Sequence, residues 1–341
     1  MIEFPMIDSE WILDHNATVK RAQWWQDVIL KTRDWLEEDG DIRDWMIAFR
    51  ELREELLNKA WKATVPSNFR EDAHYILFGS GGRGEDLLYS DLDHAVLLRE
   101  DVRLEDLQQY LYAFIRIMNE LGCPPCQGFV MSTNTRWIGS PTEWKDRIKR
   151  YFEFPDWDHA RYLFMIADAR PLDGYVPGWL EILQGVLNGI RQSAFICWEM
   201  AHLGIHRSVA ISVFRRLKSK REEQREIFNI KEGLLNPIIH SLRLLAVANG
   251  FYETSTWKRN EFLNQQGILP NNWKIMIEEA LLYGWKVRLQ VQVKELCQNQ
   301  PVTDVVVVSE YTKNARDELM THLETAKLLE RWTHRQFRKP R

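Results

Sequence analysis

The stretch Ile76-Leu-Phe-Gly-Ser80-Gly-Gly-Arg-Gly-Glu85-Asp-Leu-Leu-Tyr-Ser90-Asp91-Leu-Asp93-His-Ala-Val-Leu-Leu98 decides the reading of this chain. Tyr75 to Phe78 is a short apolar run that stops at glycine, which suits a buried strand better than a helix. Gly79, Gly81, Gly82 and Gly84 can take backbone angles that other residues avoid. Such a turn can aim several backbone N–H groups at one anion. A helix beginning near Gly82 would add its positive end. Ser80 offers a hydroxyl, and Arg83 a planar guanidinium matched to phosphate oxygens. Asp91 and Asp93 stand two apart, and on a strand that spacing puts both carboxylates on one face. Carboxylates so placed repel unless a cation joins them, and hard oxygen donors suit Mg²⁺. A phosphate cradle beside a divalent-cation site is what nucleotidyl transfer requires, the cation bridging to the triphosphate.

A glycine turn alone is weak evidence, and so is a lone Asp-x-Asp, which is usually a solvated strand end. The combination of apolar strand, Gly-Ser, short gap, Asp-x-Asp and second apolar strand is far more specific. No Gly-x-x-x-x-Gly-Lys-Ser/Thr sequence occurs, which disfavours a P-loop NTPase. A clean Gly-x-Gly-x-x-Gly dinucleotide fingerprint is also missing.

These residues resemble the signature of the DNA polymerase beta-like nucleotidyltransferase superfamily. More narrowly, the chain is similar to a family of nucleotidyltransferases related to the N-terminal part of protein-PII uridylyltransferase. Gly122-Cys-Pro-Pro-Cys-Gln-Gly-Phe-Val-Met131, Asn134-Thr-Arg-Trp137 and Trp144 resemble its second block, and Ala167-Asp-Ala-Arg-Pro-Leu-Asp-Gly174 its third. Asn229-Ile-Lys231-Glu-Gly, Arg243 and Ser255-Thr-Trp-Lys-Arg259 resemble its helical, substrate-binding C-terminal domain. The resemblance implies a Mg²⁺ (or Mn²⁺) site on Asp91 and Asp93. It also implies an NTP substrate on Gly79, Ser80, Gly82 and Arg83, with Lys231 and Arg243 as further binding residues. The acceptor it implies is a small PII-like signalling protein. The wider superfamily usually adds a third carboxylate on a later strand. The strand expected there, Gly128 to Thr133, has no acid, so Asp168 is the third catalytic candidate and Glu143 the alternative. The plainer role for Asp168 is an ion pair with Arg170 or Arg161. Without a third acid, the alternative function is a nucleotide-binding regulator that does not transfer.

Composition fits this reading. The 341 residues are 45% apolar, enough for a globular chain of more than one domain. The net charge of -4 argues against a general nucleic-acid binder. Neither a signal peptide nor an apolar run of transmembrane length is visible. Four cysteines do not make a disulfide framework, so a reduced, cytoplasmic compartment is the expectation. Cys123-Pro-Pro-Cys126 has zinc or redox spacing but no second pair, which favours a rigid structural turn. His94 should face away from Asp93 and pack beside the site.

The expected fold class is α+β: a mixed-sheet nucleotidyltransferase domain flanked by helices. Residues 1–64 read as an N-terminal helical segment, 65–176 as the α/β domain, and 177–341 as a C-terminal helical bundle, almost wholly helical. Trp24, Trp25 and Trp35 recur at helical spacing with Ile29 and Leu36, and Met46, Phe49, Leu52, Leu56 and Leu57 continue a stripe. The tryptophans are expected as core or interface anchors, which makes a homodimer reasonable. Pro301 to Val308 is expected to be a short extended connector.

Overall fold

The computed structural model describes residues 2–7, 11–12, 14, 17–203, 209–211, 217–222 and 225–339. It is a mixed α+β fold of two compact units, Met1–Glu153 with Met165–Val186, and Phe154–Phe164 with Leu187–Arg341. In the first unit, α1 (Thr18–Glu37) and α2 (Ile42–Thr64) precede the sheet. Asp41 caps α2 by accepting from Arg43 N at 2.8 Å, satisfying one orphan donor of the first turn. Of the aromatic residues expected as anchors, Trp24 and Phe49 are buried and Trp25 and Trp35 half-buried, while Trp45 and Trp61 add further buried rings.

Next come β1 (Ala73–Leu77), the short α3 (Gly79–Arg83), β2 (His94–Leu98) and α4 (Leu104–Glu120). β3 (Ile138–Gly139), α5 (Pro141–Glu153) and β4 (Arg170–Pro171) follow, while α6 (Trp157–Ile166) belongs mostly to the second unit and α7 (Pro177–Gln192) passes from the first to the second after Val186. The sheet order is β3-β2-β1-β4. β1 lies antiparallel to β2 and β4, while β2 and β3 are parallel. Alternation along β1 sends Tyr75 to one face, where it meets Trp61 of α2 and Phe114 of α4, with ring centroids 5.4 Å apart in each pairing. Phe78 turns to the opposite side, 5.2 Å from Trp137 and 6.1 Å from Trp179. Trp144 of α5 completes that layer, 5.1 Å from Trp179. Aromatic layers therefore fix the sheet from both faces and hold the end of β1 where the glycine turn begins.

Two expectations are corrected. Gly128 to Thr133 is not a strand: Phe129 has φ 55°, and turn hydrogen bonds from Phe129 N to Cys126 O and Asn134 N to Met131 O interrupt extension. The strand beside β2 is Ile138–Gly139 instead. The second unit is also not almost wholly helical. It contains α8 (Ala194–Leu203), β5 (Lys220–Glu222), β6 (Arg225–Asn229), a π-helical turn at Lys231–Leu235 and α9 (Asn236–Ala248). It continues with α10 (Thr256–Gln265), α11 (Trp273–Cys297), β7 (Val305–Val307) and α12 (Lys313–Gln336). β5, β6 and β7 form an antiparallel three-stranded sheet. In β6 only Phe228 is buried, so the strand carries little of the apolar alternation that would reveal it. Of the connector expected over Pro301 to Val308, Val305–Val307 is extended as β7, while Asp304 takes φ 55° and Val308 opens a 3-10 turn. Leu242, Leu245, Trp285, Leu289, Leu323 and Leu329 form the buried helical core of this unit.

Candidate active site

The register of β1 against β2 builds the site. Leu77 pairs with His94, and Phe78 N donates to Asp93 O at 3.0 Å, so the glycine turn leaving β1 lies beside the acidic segment entering β2. The helix starts at Gly79, earlier than the sequence suggested. Gly82 N donates to Phe78 O at 2.9 Å, and Gly84, at φ 69°, ends the turn in a left-handed cap. Two glycines sit at close approaches, Gly82 against backbone and Gly79 against a side-chain end. Gly79 has φ 54°, and a Cβ there would collide with Asp93 Oδ2. A Cβ on Gly82 would collide with the backbone oxygen of Asp168.

Asp91 and Asp93 are both partly exposed, while the residues that alternate with them, Leu92 and His94, are 2% and 0% exposed. Leu92 N donates to Pro124 O and His94 N to Val130 O, each at 2.9 Å, holding the segment extended. Both carboxylates thus occupy the outward phase. His94 packs inward as expected: its ring stacks on Tyr75 at 4.9 Å and its Nε2 lies 2.9 Å from Ser132 Oγ. Burial pushes its pKa down to about 4, so the ring is neutral near pH 7. Cys126 hydrogen-bonds the Asp93 carboxylate, and burial, reinforced by that carboxylate, pushes the thiol up to about 12.

The other charged groups are interlocked. Ser80 Oγ donates to Asp86 Oδ1 at 2.6 Å, and Asp86 Oδ2 lies 3.0 Å from Arg53 Nε. Arg83 reaches Glu85 Oε2 at 2.8 Å and Asp168 Oδ2 at 2.6 Å. Burial opposes the charge on Arg83, but the two carboxylates outweigh it and raise the pKa. Asp168 is wholly buried, and its carboxylate is paired with Arg83. Glu143 Oε2 accepts from Ser140 N at 2.8 Å, at the start of α5. Among the described residues, no group of three His, Cys, Asp or Glu side chains is arranged to hold a metal ion.

Two family models match the sequence. The first, described as putative nucleotidyltransferase DUF294, matches residues 27–158. The second, described as putative nucleotidyltransferase substrate binding domain, matches residues 196–337. The chain belongs to this nucleotidyltransferase family. No curated protein matches it.

The first match contains the glycine turn and both outward aspartates; the second contains Lys231 and Arg243. Lys231 opens the π-helical turn and is half-buried. The Arg243 guanidinium lies 3.7 Å from the Phe164 ring centroid, and its Nη1 donates to Phe164 O at 3.3 Å. Sequence reasoning missed Arg53, Glu54, Asp86 and the Cys126 contact. Arg53 had a signal: it falls four residues after Phe49 and four before Leu57, a charge on the apolar stripe of α2.

Proposed function

We propose that this chain is a Mg²⁺-dependent nucleotidyltransferase that moves a nucleoside monophosphate from an NTP to an acceptor. The observation that carries the reading is the pair Asp91 and Asp93, partly exposed on one side of extended backbone and abutting the Gly79 turn. Mg²⁺ is commonly held by one or two carboxylates, with substrate phosphates and water completing its shell. The donor set therefore fits Mg²⁺ or Mn²⁺, with Asp91 and Asp93 holding it. When bound, the ion supplies neutralisation of charge on the triphosphate and the departing pyrophosphate.

The chain's own groups bind and orient. Backbone amides at the head of the turn are assigned to the β- and γ-phosphates, since those of Gly82 and Gly84 donate to Phe78 O and Gly81 O, and Ser80 would turn its one hydroxyl proton from Asp86 to a phosphate oxygen when nucleotide binds. Arg83 is held by Glu85 and Asp168, whose two carboxylates more than balance its charge, so its part is to brace the turn and not to lend the phosphates positive potential. An acceptor hydroxyl attacks the α-phosphorus; the new P–O bond forms as the bond to pyrophosphate breaks, and the hydroxyl proton passes to an outward aspartate or to water. Lys231 and Arg243 are assigned to nucleotide or acceptor binding, on the strength of the substrate-binding match. The acceptor class that the family resemblance supports is a small PII-like signalling protein in the cytoplasm. A homodimer is the proposed assembly, with uridylylation the specific analogue.

A second reading has its own observation. Both candidate third acids are engaged elsewhere, Asp168 by Arg83 and Glu143 by Ser140 N. That favours a regulator that binds nucleotide without efficient transfer. Pyrophosphate release separates the two, assayed with each NTP, Mg²⁺ or Mn²⁺ and cytosolic extract, beside an Asp91→Asn, Asp93→Asn variant. Release that needs both aspartates and the extract supports the transferase. Nucleotide binding by calorimetry with no release supports the regulator, and neither binding nor release overturns both.

A further inference from the structure

A buried guanidinium from outside the glycine–aspartate motif connects its two halves. Arg53 lies on α2 and is 4% exposed. Its Nε meets Asp86 Oδ2 at 3.0 Å, and the other oxygen of Asp86 accepts from Ser80 Oγ at 2.6 Å. Its Nη2 donates to Ser90 O at 3.0 Å and Asp91 O at 3.4 Å. One planar fork thus holds the phosphate turn through Asp86 and the acidic segment through its backbone. The next residue grips the turn again. Glu54 Oε1 accepts from Arg170 Nη2 at 2.6 Å, and Arg170 donates to Gly81 O at 3.2 Å and Gly82 O at 3.4 Å.

From this we infer that Arg53 is a positioning residue, setting the separation between the phosphate turn and the Asp91–Asp93 pair. This deepens the nucleotidyltransferase reading and rests on it for the role of the two halves. Placing a guanidinium on the apolar stripe of α2 carries a desolvation cost that packing alone would avoid with Leu or Met. The arrangement that offsets the cost is directional: Nε and Nη2 point to different segments in one plane. Lysine keeps the charge but carries its donors on one nitrogen, so it does not reproduce the planar fork whose Nε and Nη2 reach the two segments. The N-terminal helical segment is therefore part of the site, because α2 supplies the brace.

The test uses the full chain with Arg53→Lys, Ser80→Ala and the double variant, and Glu51→Gln on the exposed side of α2 as the control. Calorimetry reads the affinity for each of the four NTPs at saturating Mg²⁺. Arg53→Lys is expected to weaken binding roughly tenfold in the wild-type background and by a smaller factor in the Ser80→Ala background, where only the leg to Ser90 O and Asp91 O is left to lose, since residues of one network are not additive. Equal losses in both backgrounds, or no loss, overturn the inference. Amide hydrogen exchange without nucleotide judges it separately. Arg53→Lys should speed exchange in residues 79–85 and 90–93 together, while β1 and β2 keep wild-type protection. Faster exchange in one segment alone, or throughout the unit, sinks the brace. If the wild type binds none of the four, the transferase reading falls and the exchange result alone decides Arg53.

Discussion

Four aspartates surround the glycine turn, and they divide into two pairs. Asp86 and Asp168 are buried, each against an arginine, Arg53 and Arg83 respectively. Asp91 and Asp93 face outward in extended backbone, with the Cys126 thiol on Asp93. Residue type is the same, so environment assigns the role. An aspartate enclosed with a guanidinium holds the fold, because either charge alone would be costly to bury. An aspartate that keeps contact with water retains a charge that a cation can use. The contrast also explains the cluster of charges around one short loop. The inner pair fixes the loop so that the outer pair is held at a set distance from it.

The sharpest way to break this contrast is to neutralise a member of the inner pair. Asp168→Asn leaves Arg83 buried with Glu85 as its remaining carboxylate, and should cost up to about 3 kcal/mol of stability, the range for weakening a hydrogen bond to a charged group. Urea denaturation measures it. A loss below about 1 kcal/mol, the range of an exposed pair, would place Asp168 among the functional acids instead.

His94 gives the next largest effect and tests the inward phase of the same backbone. Its pKa is lowered to about 4 in the folded protein by burial, against 6.5 when exposed. Between those values the unfolded chain binds the proton and the folded chain does not, so stability falls as pH drops from about 6.5 to about 4 and then levels off. The full drop is about 3 kcal/mol, from the value of one pKa unit. Thermal melts across that window in EDTA read the slope, and His94→Gln should flatten it. An unchanged slope in the variant would assign the acid sensitivity to carboxylates.

For the outer pair, the expected effect is on ligand and not on fold. Asp91→Asn with Asp93→Asn should lower Mg²⁺-dependent NTP affinity at least about a hundredfold, since even changes around metal ligands often cost 10- to 100-fold. Its melting curve should stay at or slightly above wild type, because two neighbouring like charges are removed. Unchanged affinity with a normal melt moves the cation site elsewhere. Unfolding would merge the two pairs into one class.

Much of this could be read from the sequence, for definite reasons. The Gly79–Gly84 turn and the Asp91–Asp93 spacing are local features, and a period of two places side chains on a face without tertiary knowledge. The α+β class followed from the same stretch and from the helical stripes around it. The inner pair was not legible in this way. Arg83 and Asp168 are far apart in sequence, and nothing local tells that Arg83 meets a buried carboxylate before it meets a phosphate. Arg53 was visible only as a charge out of place on the stripe of α2. β6 was missed because its residues are mostly polar and a single one is buried. The strand expected at Gly128 to Thr133 failed on Phe129, whose positive φ no apolar pattern announces.

The smallest expected effect tests the contact between the turn and the outer pair. Gly79→Ala introduces a Cβ at φ 54°, a left-handed conformation that costs an L-residue about 1–2 kcal/mol. The same Cβ meets Asp93 Oδ2, the end of a side chain that can rotate away, so the collision relaxes at the expense of the carboxylate's position. Two losses should therefore appear, and they should separate. Stability falls by about 1 kcal/mol from the backbone angle whether or not Asp93 is present. Mg²⁺-dependent NTP affinity falls several-fold only while Asp93 is there to be displaced, so in an Asp93→Ala background the substitution should leave the residual affinity unchanged. If Gly79→Ala weakens nucleotide binding equally in both backgrounds, the glycine serves the phosphates through its own backbone, and the turn and the aspartates are neighbours without being coupled at this point.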